Sequence, residues 1–81
     1  MNDLESAEKI SIDIKKLERN LKQVEDMNFE GKEKEVYDRA VDYMNDSKYY
    51  LEKKKDMRTA FGCIEYSHGL LDALRMIHGL I

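Results

Sequence analysis

Tyr66, His68 and Asp72 are the residues whose types and spacing come nearest to chemistry in this chain. They stand in the run AFGCIEYSHGLLDAL, from Ala60 to Leu74. His68 and Asp72 are one helical turn apart, so their side chains can meet. Such a pair could be half of a metal site or a polarised base. Zinc would need further ligands, and His78 lies roughly 80° away around the same helix, where it does not readily join them. A catalytic pair would also need a nucleophile or a cleft. No Walker loop, dinucleotide fingerprint, nucleophile elbow or HExxH motif is present. The plainer reading is a histidine at a core edge oriented by an aspartate, with no catalytic residue, metal or cofactor.

Other polar clusters carry weaker signals. Glu35, Asp38, Asp42 and Asp46 share one side of a helix, and acidic rows can hold a divalent ion between oxygen ligands. Tight ion sites of that kind are usually built on a glycine-containing loop, so a solvated face matched by Lys15, Lys16 or Lys22 is the simpler expectation. Lys53, Lys54 and Lys55 are bounded by Glu52 and Asp56 and read as a charge cluster at a helix end. Tyr43 and Tyr50 belong to an apolar stripe with their hydroxyls at its rim, while Tyr49 points elsewhere and reads as a contact residue.

Composition narrows the function classes. A chain of 81 residues with 42% apolar and 38% charged side chains is one domain, 1–81, suited to amphipathic helices. It buries only about 60% of its unfolded surface, too little for a large internal cleft. The net charge of −3 gives no electrostatic reason to expect nucleic-acid binding. Cys63 stands alone, so there is no internal disulfide and no cysteine zinc site. No apolar run could span a bilayer, and the charged start MNDLESAEKI is unlike a signal peptide. The expected setting is the cytoplasm, without membrane contact.

The elements that must position these residues follow from periodicity. Leu4, Ala7, Ile10, Ile14, Leu17, Leu21 and Val24 draw one helical stripe in steps of three and four, with Ile12 pointing away. Glu5 with Lys9 and Glu18 with Lys22 stand at i,i+4 in the favourable order. A second stripe runs through Val36, Ala40, Tyr43, Met44, Ser47, Tyr50 and Leu51. Asp56 then offers an N-cap to a third helix with Met57, Ala60, Phe61, Ile64, Leu71 and Leu74 along one side. The reading is an all-α three-helix bundle with helices at about 4–27, 32–54 and 56–79. The short second connection makes helices two and three antiparallel neighbours.

The third helix carries more than its core stripe needs. Cys63, Leu70 and Ile77 recur every seven residues on an adjoining strip, and beyond it lie Gly62, Tyr66, Gly69 and Ala73. A helix with one wet flank needs an apolar arc of somewhat more than ~100°, and this arc is wider. Glycine inside a helix costs roughly 1 kcal/mol relative to alanine, so two on one face point to a close approach by another backbone. That backbone belongs either to this bundle or to a second chain. Gly62, Cys63, Leu70 and Ile77 are the expected interface.

The block from Tyr43 to Ala73 resembles the archaeal family called domain of unknown function 357. The shared pattern is Asp-x-x-Tyr-aromatic-Leu, Gly-Asp, Ala-Phe and Tyr-Ala-His-Gly-x-Leu-Asp-Ala. It falls here on Asp46, Tyr49, Tyr50, Leu51, Asp56, Ala60, Phe61, Tyr66, His68, Gly69, Leu71, Asp72 and Ala73. Lys55 replaces a common glycine, which implies a somewhat different turn, and Ser67 replaces a common alanine. The resemblance implies a three-helix bundle from an archaeal cytoplasm and no activity, and it marks Tyr66, His68, Gly69 and Asp72 as a shared surface.

The expected function is a non-enzymatic protein–protein interaction module, self-associating as a homo-oligomer, most simply a dimer, or binding an unidentified protein partner. One alternative is a nucleic-acid-associated helical domain of the ribonuclease-toxin kind. Its Arg-to-His spacing differs from both Arg58–His68 and Arg75–His78, and the acidic balance opposes it. Another is metal or small-ligand binding centred on His68 and Asp72.

Overall fold

Helix α1 spans Asp3–Val24, α2 Gly31–Glu52 and α3 Met57–Ile77, giving an all-α three-helix bundle. The computed structural model describes residues 3–81, with side chains from Ser6 onward. The side chain of Leu4 and the expected Glu5–Lys9 pair therefore lie outside the described side chains.

The periodic stripes become the core. Ile10, Ile14, Leu17, Leu21 and Val24 of α1 are buried against Ala40, Met44 and Leu51 of α2 and Ala60, Ile64 and Leu71 of α3. Ile12 is exposed, as its angle on the helix requires. Phe61 is not the core residue the pattern made it. It is 42% exposed, because the buried side of α3 is centred on Ala60, Ile64, Ser67, Leu71 and Leu74.

Helices α2 and α3 make the tightest pair. Ser47 Oγ donates to the Ala60 carbonyl at 2.7 Å, and Ser67 Oγ donates to the Ala40 carbonyl at 2.5 Å. One partner rises in number as the other falls, so the helices are antiparallel. All four residues are fully buried, and only such small side chains let two backbones come close enough for a hydroxyl to reach the neighbouring helix. Helix α1 lies antiparallel to α2 and parallel to α3. It is tied to α2 by Lys48 Nζ to Glu18 Oε2 at 3.3 Å and to α3 by His68, described below.

The helix ends are set by local chemistry. After Glu52 the chain closes with Lys53 N–H to the Tyr49 carbonyl and Asp56 N–H to the Tyr50 carbonyl. That closure puts Lys55 at φ 55°, the left-handed region that glycine enters without steric cost. The lysine triplet thus follows α2 instead of forming its last turn. Asp56 caps α3, its Oδ1 accepting from Thr59 N–H at 3.1 Å and its Oδ2 from the Thr59 hydroxyl at 2.7 Å. At the far end Gly79, at φ 72°, lets its N–H reach Met76 O and Leu80 N–H reach Arg75 O, a Schellman closure.

Surface charges pair differently from the sequence expectation. Asp38 is met by Lys34 one turn away on its own helix, at 3.0 Å, and Lys15, Lys16 and Lys22 form no ion pair among the described residues. Glu18 reaches across to Lys48 and not along α1 to Lys22. The i,i+4 pair within α2 needs no rearrangement between helices, so it is the easier match.

Candidate functional site

His68 and Asp72 share a turn of α3, but the structure gives each a different partner. His68 Nε2 lies 3.2 Å from the backbone carbonyl of Asp13 on α1. A carbonyl only accepts, so Nε2 carries the hydrogen in this contact. Asp72 Oδ1 instead takes Arg75 Nη1 at 3.2 Å. The mutual orientation expected of His68 and Asp72 is therefore replaced by an inter-helix bond and an ion pair at i,i+3. Without that coupling neither residue is a base polarised by the other. No group of three or more His, Cys, Asp or Glu side chains converges among the described residues.

His78 has its own surroundings at the other end of the bundle. Its Nε2 meets the Glu33 carboxylate, and the Phe29 ring packs edge-on to it with centroids 5.3 Å apart. Phe29 also contacts Tyr37, with centroids 5.6 Å apart. Sequence reasoning missed this cluster. Its members come from the first connection and two helix ends, where no periodic spacing relates them. The signal available was the aromatic pair itself, Phe29 and Tyr37, flanking the start of α2.

The outer face of α3 is where the singled-out residues come together. Gly62, Tyr66, Gly69, Ala73 and Ile77 are exposed, and Cys63 and Leu70 are half-buried beside them. Tyr66 is 51% exposed and Ile77 66%. Tyr66 rests on Tyr43 of α2, with ring centroids 4.5 Å apart, which steadies an aromatic side chain that the core does not hold. Leu70 packs partly against the core.

The glycines of this face are not explained by packing within the bundle. A Cβ placed on Gly62 or on Gly69 would meet nothing within 4 Å. The close approach inferred from their spacing exists elsewhere, at Ala40, Ser47, Ala60 and Ser67. Cys63 sits at the edge of the strip, and burial, then the Asp46 and Asp56 carboxylates, push its thiol up. It stays protonated at neutral pH and is a poor nucleophile.

No described helix is long and apolar enough to cross a membrane. The family model for a protein of unknown function, DUF357, matches residues 13–80, which takes in all of α2 and α3 and the latter half of α1. A comparison with curated proteins gave no match.

Proposed function

This chain belongs to the DUF357 family, and on that premise we propose that it is a non-enzymatic interaction module that self-associates through the outer face of α3. The observation that carries this reading is the open space over Gly62 and Gly69. Two helical glycines cost stability, and nothing within their own bundle uses the room they leave. A second copy approaching along α3 would use it, as small residues let helix backbones close on one another.

The flanking residues suit that contact. Tyr66 presents a large apolar surface with a polar tip, a type enriched at interfaces. Ile77 and Met76 extend the exposed apolar surface toward the helix end. A two-fold arrangement places the same strip on both partners and closes the assembly at a dimer. His68 and Asp72, each engaged within the fold, act as structural residues beside this face. The archaeal and cytoplasmic setting implied by the sequence belongs to the same proposal.

Light scattering over a wide concentration range tests it. The wild type should pass from monomer to dimer as concentration rises, and Gly69→Lys should stay monomeric, since its side chain enters open space in the monomer but obstructs a second helix. A wild type that remains monomeric throughout would sink the proposal.

A further inference from the structure

A second feature of the surface is a groove of about 620 Å³ where α1 passes the turn between α2 and α3. Ile10, Met57 and Phe61 supply its apolar part, and Lys9, Lys55 and Arg58 bring cations to it. Phe61 is one of the large side chains of α3 that the core leaves uncovered, and here it has a place. Neither Lys55 nor Arg58 forms an ion pair among the described residues. Asp56, the one carboxylate among the described lining residues, is already engaged by the N–H and hydroxyl of Thr59.

We propose that this groove binds a small phosphate monoester with an apolar body, the body resting on Met57 and Phe61 and the phosphate held by Lys9, Lys55 and Arg58. Charge selects the head group. Among the described lining residues three cations and one carboxylate leave two net positive charges, and a phosphate monoester carries about −1.5 to −2 at neutral pH. They stand out on a chain whose net charge is −3. The volume falls within the roughly 300–1,000 Å³ of ordinary small-ligand pockets. Lys55 adds an independent indication. Its backbone occupies the left-handed region at φ 55°, where glycine would be free of strain, and its side chain lines the groove. The N-terminus of α3 already has its cap in Asp56, so the side-chain cations supply the attraction.

The test is an amide ¹⁵N–¹H titration of the full chain with 1-naphthyl phosphate, alongside inorganic phosphate and 1-naphthol as separate probes. Saturable shifts are expected at Lys9, Ile10 and residues 55–61, with each half-molecule binding at least ~10-fold more weakly, a step of about one affinity decade. Lys55→Gly/Arg58→Gln should weaken naphthyl phosphate to a similar degree, and Lys55→Gly relieves backbone strain, so loss of folding does not confuse the result. Shifts centred on another face, undiminished binding by the double variant, or equal binding of inorganic phosphate alone would overturn the proposal. So would an acidic peptide that shifts these amides when naphthyl phosphate does not.

Discussion

The Ser67 hydroxyl donates to the Ala40 carbonyl across 2.5 Å, between two residues that are wholly buried. The Ala40 carbonyl stands within a helix and has its own backbone donor, so removing the hydroxyl leaves no orphaned acceptor. Ser67→Ala should therefore cost about 0.5–1.5 kcal/mol, the net value of one hydrogen bond. Ser67→Leu should cost more, because the added methylenes have no room between the two backbones. Urea unfolding of both variants checks the order; equal losses would mean that the helices are not closely packed at this point.

Where periodicity carries the information, the sequence was readable. The α1 stripe from Ile10 to Val24 is a repeat of three and four, and burial follows it residue by residue. The Asp56 cap was readable too, because an N-cap is a local motif. Ser47 falls on the α2 stripe by its spacing, whereas Ser67, a hydroxyl between Ile64 and Leu71, is not marked by its type as the centre of an interface. The partner of His68 was hidden for another reason: the Asp13 carbonyl is main chain, on a helix 55 residues away, and no side-chain spacing encodes it. At Gly62 and Gly69 spacing showed small residues on one face and nothing about what faces them.

Lys55 holds a left-handed backbone at φ 55°, a conformation costing an L-residue roughly 1–2 kcal/mol. The turn taken here is one that glycine enters without steric cost. Lys55→Gly should raise stability by about 1 kcal/mol, less the entropy glycine adds to the unfolded chain. A lower midpoint in chemical denaturation would contradict this.

Asp56 gives the fold a pH dependence. The Thr59 hydroxyl and then its backbone N–H hold the carboxyl below the usual aspartate range. With the folded value below the unfolded one, the cap's contribution is complete above an unfolded pKa of about 4 and is lost as pH falls through the folded value. Thermal melting should show wild type ahead of Asp56→Asn at neutral pH, with the gap narrowing in acid. A gap that stays constant into strong acid would show that charge has no part in the cap.

Arg75 pairs with Asp72 through Nη1, while its buried Nε has no acceptor. Removing the carboxylate and keeping the arginine leaves a mostly buried cation uncompensated, so Asp72→Ala should cost about 1 kcal/mol after allowing for the exposure of the carboxylate. Arg75→Met keeps the aliphatic packing and removes both the charge and the orphaned donor, and should be close to neutral. Denaturation of the two variants tests the asymmetry. A larger loss for Arg75→Met would mean that the guanidinium, not its stem, secures this part of α3.

Gly62 and Gly69 separate monomer stability from association. Each has ordinary helical surroundings and no neighbour within 4 Å of an added Cβ, so alanine fits the monomer without strain. Each substitution should stabilise the isolated chain by roughly 1 kcal/mol, the difference in helix propensity. In a dimer closed along this strip the same methyl groups hold the two backbones apart. Melting temperature should thus rise with concentration for wild type, since association stabilises the folded state by mass action. For Gly62→Ala/Gly69→Ala it should start higher at low concentration and rise less. A double variant whose concentration dependence equals that of wild type would place any interface elsewhere on the bundle, and the glycines would then carry their helix cost with no contact to offset it.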